Sequence, residues 1–277
     1  MKAVSETRSF GGVQRSFEHP SSSCRCTMRL SVFTPPKAGA KPLPTLIYLS
    51  GLTCTDENVT VKSGFQRIAA ELGLIVVAPD TSPRGEDVPD AADEYDFGQG
   101  AGFYLDAKAE PWSEHFQMES YVAKELPELL AAHLPVDAHR IGVFGHSMGG
   151  HGALTLHLKH PRLFKTVSAF SPIVAPMRVP WGEKALSRYL GKDRSAWVRY
   201  DATELAKTSP SAAEILVDQG DADQFLDEQL RPDLLREACA ASGQALTLRR
   251  HPGYDHSYFF ISTFMEDHLR WHAKRLD

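Results

Sequence analysis

Apolar residues in this chain cluster in short runs that are separated by stretches of helical periodicity. A run this short suits a strand buried on both faces better than a helix. The runs occupy residues 45–50, 74–79, 141–144, 167–170, 215–218 and 245–249. Amphipathic helical patterns lie at residues 121–134, 226–241 and 258–274. Strands that alternate with helices predict an α/β fold in which a mostly parallel sheet is covered by helices on both faces.

The first 35 residues have a different pattern, because they show no helical periodicity. Two strands joined by a turn are predicted here, and the second, at residues 26–33, alternates polar and apolar side chains. Pro35 and Pro36 end this second strand. We expect the two strands to form an antiparallel edge of the sheet.

Two stretches depart from the rhythm of strands and helices. Residues 81–119 and 175–210 carry proline, glycine and aromatic residues without a regular period. Long irregular segments of a compact domain often carry function, and their aromatic residues favour ordered loops. The 42% hydrophobic content of the 277 residues is enough for one large core. We therefore predict a single α/β domain over residues 1–277, with these two excursions walling an active site.

The sequence Gly145-His146-Ser147-Met148-Gly149 lies between a predicted strand and a run of small and helix-favouring residues. A serine at such a junction, with a glycine two residues away on each side, is typical of the nucleophile elbow of an α/β-hydrolase fold. Glycine is needed at both positions because a larger side chain would collide with the strand or the helix. Ser147 is the predicted nucleophile, held at a helix N-terminus where free N–H groups stabilise negative charge.

A serine nucleophile needs a histidine base, which this fold places after the last strand. His256 is the predicted base, because it lies in a polar turn between the last predicted strand and the last helix. His251, which comes earlier and nearer the strand end, is the alternative. His268 and His272 lie one helical turn apart, but no Glu follows the first, so the H-E-x-x-H metal pattern fails and a surface or packing role is expected.

The base in turn needs a carboxylate that orients it, and in this fold the acid lies between the serine and the histidine in the chain. Three aspartates are candidates: one is the last residue of the apolar run at 215–218, and two follow it. Asp218 is expected to lie in the strand or its first turn. Asp221 and Asp223 both lie beyond the strand, and spacing alone does not separate them. Aspartates near glycine also serve in turns and helix caps, which is their commoner use.

Composition and charge exclude some classes of binding partner and cellular location. The formal net charge is −5, and no block of like charges indicates binding to nucleic acid or to an anionic membrane. The first residues lack the apolar core of a signal peptide and no apolar run could span a bilayer, so we expect a cytoplasmic protein. Four cysteines are expected to be free thiols, and the spacing of Cys24 and Cys26 does not suit zinc. Neither a metal nor an organic cofactor is expected.

Motifs along almost the whole chain resemble those of the S-formylglutathione hydrolase family, also called esterase D. Together they are much more specific than the elbow alone. They are FGG at 10–12 with Gln14, LSGLTCT at 49–55, APDTSPRG at 78–85, DFG at 96–98, GAGFY at 100–104, FGHSMGGHGA at 144–153, PWG at 180–182, DQFL at 223–226 and GYDHSY at 253–258.

The resemblance implies a role for several residues. It implies that Asp223 is the acid and His256 the base. The backbone N–H groups of Leu52 and Met148 would form the oxyanion hole. Cys54 would lie near the thiol of the substrate, although a lone cysteine is otherwise more often a small buried apolar residue.

The resemblance also implies an activity, which is hydrolysis of S-formylglutathione to formate and glutathione through a formyl-serine intermediate. This reaction would serve formaldehyde removal, need no cofactor and be carried out by a homodimer. The aromatic residues around Phe103-Tyr104 and Trp181 are predicted to close a small acyl pocket. Two alternatives are a broader short-chain carboxylesterase, thioesterase or acyltransferase on the same scaffold, and a non-catalytic binding protein that kept the fold.

Overall fold

The structure is a computed structural model that describes residues 1–36 and 41–276. Within these residues one sheet contains every named strand. The strands are β1 (Lys2–Ser9), β2 (Gly12–Pro20), β3 (Thr27–Thr34), β4 (Leu43–Leu49), β5 (Ile75–Pro79), β6 (Val136–His146), β7 (Phe164–Phe170), β8 (Ile215–Gly220) and β9 (Leu246–His251). Their order across the sheet is β1-β2-β3-β5-β4-β6-β7-β8-β9.

The sheet is mostly parallel, as predicted. From β5 to β9 in the spatial order, every neighbouring pair is parallel, whereas β1, β2, β3 and β5 pair antiparallel. The prediction of two N-terminal strands is wrong, because there are three. β1 was not predicted because its side chains are mostly polar and are exposed along almost its whole length, so no apolar–polar alternation is present.

The central strands are buried on both faces. In β4, Ile47 and Leu49 pack into one apolar cluster, while Leu46 and Tyr48 pack into another on the opposite face of the sheet. This alternation follows from the two-residue period of a strand. Helices cover both clusters, which explains why these strands appear in the sequence as continuous apolar runs.

The helices fill the connections between the strands. They are α1 (Glu57–Lys62), α2 (Gln66–Leu72), α3 (Met118–Ser120), α4 (Leu126–His133), α5 (Met148–Lys159), α6 (Pro180–Leu190), α7 (Ala202–Thr208), α8 (Pro232–Ser242) and α9 (Tyr258–Leu276). A π-helical turn joins α3 to α4, so the predicted helix at 121–134 begins earlier than expected. Among the described helices, none combines the length and the apolar character that crossing a membrane requires.

Two expectations about irregular segments need correction. Residues 175–210 were expected to lack regular structure, yet they contain α6 and α7. Proline at the first turn of α6 and an aspartate cap on α7, Asp201, start these helices, and both signals were visible in the sequence. The helix predicted over residues 226–241 is interrupted: a π-helical turn covers Leu226–Leu230, Arg231 adopts a left-handed conformation with φ of 48°, and α8 begins at Pro232. Residues 81–119 are largely irregular, as expected.

Candidate active site

Ser147 occupies a strained turn between β6 and α5. Its φ of 57° and ψ of −118° are unfavourable for a residue with a side chain. A Cβ atom at Gly145 would collide with the carbonyl group of Gly149, and one at Gly149 would collide with the carbonyl group of Leu49. The two glycines therefore let the turn close tightly, as the sequence predicted, and Ser147 is placed at the N-terminus of a helix of 12 residues.

Asp223 and His256 form a hydrogen-bonded pair. The Asp223 Oδ2 atom lies 2.6 Å from His256 Nδ1. The same carboxylate accepts a hydrogen bond from Gln219 Nε2 at 3.1 Å, and its other oxygen accepts one from the Phe225 N–H at 2.9 Å. Asp223 is 5% exposed. Three donors thus fix the carboxylate, which in turn fixes the orientation of the imidazole.

The other aspartates of the β8 loop face elsewhere. Asp221 forms an ion pair with Arg250 at 2.6 Å, and both side chains are about one-third exposed. Asp218 is fully buried and binds the Arg249 guanidinium through both carboxylate oxygens. His268 and then Arg249 hold the pKa of Asp218 below its usual range against the opposing effect of burial. Of the two aspartates that spacing did not separate, Asp223 is the one whose side chain contacts His256.

The remaining histidine candidates contact structural partners instead. His251 Nε2 lies 3.4 Å from Asp218 Oδ1, and its ring packs against Phe264 with centroids 3.9 Å apart. His268 and His272 are fully buried between α9 and the sheet, and both rings contact Ser168 Oγ at 2.8 Å. These two histidines therefore have the packing role that the failed metal pattern suggested. Among the described residues, no cluster of His, Cys, Asp and Glu has the geometry to hold a metal.

Ser147 and His256 line one cavity of about 350 Å³ at the carboxyl ends of the strands. No hydrogen bond joins the two side chains among the described residues. Serine–histidine contacts are often long in an enzyme without substrate and shorten when it binds. The cavity is lined by Gly51, Leu52, Thr53, Cys54, Asn58, Lys62, Tyr95, His146, Ser147, Trp181, Phe225, His256, Ser257 and Tyr258.

The predicted oxyanion donors flank the nucleophile. Gly51 lies so close that a Cβ atom there would be 3.2 Å from Ser147 Cβ, which brings the next residue, Leu52, beside the serine. Met148 is the first residue of α5, so its N–H has no partner within the helix. Neither the Leu52 nor the Met148 N–H has an acceptor among the described residues. Both are therefore available to an oxygen atom bound next to Ser147.

One of the two predicted aromatic walls lines the cavity and the other does not. Trp181, at the start of α6, packs against Phe225, and Phe225 packs against the His256 ring with centroids 5.0 Å apart. The Trp181 Nε1–H donates to the Tyr95 hydroxyl at 3.1 Å. Phe103 and Tyr104 are instead fully buried behind the site, where the Tyr104 hydroxyl donates to the Ser50 carbonyl. The excursion at 81–119 thus reaches the cavity through Tyr95.

Several residues of the cavity were missed in the sequence. The His146 ring packs against the His256 ring with centroids 4.4 Å apart. Burial, followed by the proximity of His256, holds the pKa of His146 well below its usual range, so His146 stays neutral. Tyr95, Phe225 and Lys62 were not singled out either. Phe225 lies within the DQFL motif, so its closeness to Asp223 in the sequence could have indicated that it lies near the site. Neither Tyr95 nor Lys62 lies within one of the motifs, so the sequence offers no comparable indication for them.

Comparison with known proteins identifies the family. Residues 21–271 match the model of the family described as "Putative esterase". The S-formylglutathione hydrolase of Mus musculus is 51% identical over 100% of this chain and 99% of its own length, and that of Bos taurus is 50% identical over the same shares. The structure of an S-formylglutathione hydrolase from Agrobacterium tumefaciens superposes with a TM-score of 0.98 at 55% identity, covering 100% of each chain. This chain belongs to the S-formylglutathione hydrolase family.

Five of the nine motifs of this S-formylglutathione hydrolase family member contribute residues to the cavity although they are far apart in the sequence. The segment at 49–55 supplies the loop beside Ser147, and PWG at 180–182 supplies Trp181. The segments at 223–226 and 253–258 supply the Asp223–His256 pair. The α/β-hydrolase fold predicted from the elbow is confirmed, since family and architecture agree.

Proposed function

We propose that this protein hydrolyses S-formylglutathione to formate and glutathione, with Ser147, His256 and Asp223 as nucleophile, base and acid. The observation that carries the proposal is the convergence of a strained elbow serine and a 2.6 Å aspartate–histidine pair on one cavity, in a chain about half identical to hydrolases named for that substrate. The roles of the three residues follow from their geometry and from general serine-hydrolase chemistry.

In the first step, His256 Nε2 takes the proton of the Ser147 hydroxyl, and the oxygen attacks the formyl carbonyl carbon. The tetrahedral oxyanion is bound by the N–H groups of Leu52 and Met148, which have no competing acceptor among the described residues. When the C–S bond breaks, the glutathione sulfur takes the proton from His256 and leaves as a thiol. Ser147 is left as a formyl ester.

In the second step, water replaces the departed thiol. His256 takes a proton from that water, and the resulting hydroxide attacks the formyl ester through the same oxyanion hole. Breaking the ester bond returns the proton to Ser147 and releases formate. Asp223 stabilises the imidazolium that forms in both steps, because the carboxylate accepts the hydrogen bond from Nδ1 throughout.

These steps use only groups of this chain and water. The proposed activity would complete glutathione-dependent removal of formaldehyde, since a dehydrogenase reaction that produces the thioester must precede it. We further propose that the protein is cytoplasmic, as expected from the sequence, and a homodimer, as the family resemblance implied. The segments at 81–119 and 175–210 belong to the same α/β domain in this proposal, and they contribute Tyr95 and Trp181 to the wall of the cavity.

The decisive experiment compares kcat/KM for S-formylglutathione, S-acetylglutathione and a p-nitrophenyl ester. A pocket that excludes one methyl group can discriminate by about 1–3 kcal/mol, or roughly 10- to 200-fold. We expect the formyl thioester to be the best substrate by such a factor. Comparable values for all three would indicate the alternative, a broad short-chain esterase on the same scaffold.

Acyl-chain selectivity should depend on Trp181. The indole contacts both Tyr95 and Phe225 in the cavity wall, and we propose that this wall limits the length of the acyl chain. We expect kcat/KM to fall by about tenfold or more with each added carbon from formyl to acetyl to butyryl glutathione. Trp181→Ala should flatten this series by giving butyryl room. Trp271→Ala, which removes a tryptophan that packs under Arg275 on α9, is the control that should leave the series unchanged. Efficient butyryl turnover by the wild type would contradict the narrow pocket.

Cys54 should block the site only after its thiol has been alkylated. Burial raises the pKa of the Cys54 thiol, so alkylation by iodoacetamide should be slow at neutral pH and should accelerate as the pH rises. We expect the adduct to abolish turnover of glutathione thioesters by occupying the cavity, and glutathione to protect against it. Cys54→Ser should keep substantial activity and resist the reagent. Complete loss in Cys54→Ser would instead make Cys54 a reacting group.

A further inference from the structure

The active-site cavity contains one fixed charge. Among the described residues that line it, Lys62 is the single Lys or Arg, and neither Asp nor Glu lines it. The two histidines of the lining cannot replace Lys62 as a permanent cation, because His146 is held neutral and His256 must accept a proton during the reaction. A ligand that enters this cavity therefore meets a positive charge at a single position.

Lys62 is free to bind an anion. It is exposed at the end of α1, and across residues 1–36 and 41–276 no carboxylate lies within ion-pair distance of its ammonium group. Lys184, by contrast, is paired with Glu94 and Asp96. The Lys62 ammonium lies 5.6 Å from the centre of the Tyr258 ring, which holds it beside the site without neutralising it.

Lys62 also lies between the active-site cavity and a second cavity. A second cavity, of about 360 Å³, is lined by Lys62, Ser257, Tyr258, Phe259 and Ser262. Lys62, Ser257 and Tyr258 line both cavities, so the two adjoin at the lysine. Phe259 is 83% exposed and offers apolar surface there. The combined volume of the two cavities lies within the range of about 300–1,000 Å³ that is typical of small-molecule sites.

We propose that Lys62 binds a carboxylate of the glutathione portion of the substrate, with the tripeptide extending from Ser147 toward the second cavity. This assignment rests on the function proposed above. Glutathione carries two carboxylates and one ammonium group, so its net charge of about −1 at neutral pH suits a cavity with one lysine. The Asn58 side chain, which lines the same cavity next to Lys62, accepts from the Thr55 N–H and so keeps its NH₂ group for a second hydrogen bond.

The test compares Lys62→Met with wild type on S-formylglutathione and on its diethyl ester, in which both carboxylates are capped. We expect KM for the charged thioester to rise by about fivefold, the effect of an exposed ion pair worth up to ~1 kcal/mol. kcat should change little, because the contact is made equally in the ground state and the transition state. KM for the capped thioester should rise much less. Lys62→Arg should restore the wild-type KM, and Lys62→Glu should raise it by more than about tenfold, since it adds repulsion.

A matched control and a salt titration separate binding from folding. Lys165 is an exposed lysine on β7, at the opposite end of the sheet from the site, and Lys165→Met should leave both KM values unchanged. The KM of wild type for the charged thioester should rise with added NaCl, and the Lys62→Met value should respond less. The thioester of the glycyl monoethyl ester then shows which carboxylate binds, because it loses the Lys62 effect only if the glycyl end is the partner.

Two outcomes would overturn the assignment in distinguishable ways. Equal KM changes for the charged and capped thioesters, or no change for either, would show that Lys62 does not bind a carboxylate, while the proposed function would stand. A wild-type enzyme that hydrolyses a p-nitrophenyl ester but not S-formylglutathione would overturn the proposed function and the assignment together.

Discussion

Ser147→Ala is expected to remove nearly all turnover of glutathione thioesters and of p-nitrophenyl esters, by a factor of about 10⁶. The alanine retains the strained backbone of the elbow but has no oxygen to attack the acyl group. His256→Ala should cost about as much, since the serine is a poor nucleophile without its base. The measurement is kcat by steady-state assay, with labelling by a fluorophosphonate probe as a second readout. Both variants should be unlabelled.

The double variant distinguishes a catalytic unit from two independent contributions. If Ser147 and His256 act together, then losing both should cost little more than losing either one. Thermal unfolding should change little in Ser147→Ala, because the removed oxygen makes no hydrogen bond among the described residues. More than a few per cent of residual activity in Ser147→Ala would show that the nucleophile lies elsewhere.

The parallel strands could be predicted because burial on both faces makes them continuous apolar runs. Ile75, Val76, Val77 and Ala78 are all buried, half of them in each cluster, so no polar residue interrupts the pattern. β1 could not be predicted in the same way. It is held by backbone pairing with β2 at the edge of the sheet, and such pairing places no demand on the side chains.

The elbow geometry of Ser147 was predictable from local sequence, whereas the pairing of Asp223 with His256 was not. The elbow constrains neighbouring residues, so the glycines around Ser147 reveal its backbone geometry. The choice between Asp221 and Asp223 depends on how the loop after β8 turns toward a histidine 33 residues later in the chain. Spacing contains no such information, and at the level of sequence only the resemblance to a family favoured Asp223.

The wall of the cavity was the least predictable part of the site. Phe103, Tyr104 and Trp181 are all aromatic residues in segments that the sequence predicted to be irregular. Of the three, only Trp181 lines the cavity. Phe103 and Tyr104 both have positive φ angles, which turn the chain inward beneath the site. Tertiary packing of an irregular loop brings Tyr95 to the cavity, and packing of a short helix brings Lys62 there. Neither residue belongs to a sequence motif that indicates a chemical role.

Asp223→Asn is expected to lower kcat by about 10⁴ while the fold is retained. The amide oxygen can still accept from the Phe225 N–H, but the NH₂ group then faces His256 Nδ1 and Gln219 Nε2, where the carboxylate accepted two hydrogen bonds. A donor at this position favours the tautomer in which Nδ1 is the acceptor and Nε2 carries the proton. That tautomer cannot take the proton of Ser147, and the amide cannot stabilise an imidazolium.

Asp221→Asn is the matched control, because it makes the same chemical change two residues away in the same loop. It removes an ion pair with Arg250 that is about one-third exposed, and such pairs contribute roughly 0–1 kcal/mol to stability. We therefore expect kcat to remain within about twofold of the wild type, because this ion pair does not touch the Asp223–His256 pair. Circular dichroism and thermal unfolding would establish that both variants are folded. A large loss in Asp221→Asn with activity retained in Asp223→Asn would show that the 2.6 Å contact with His256 does not orient the base, and it would move the acid to Asp221.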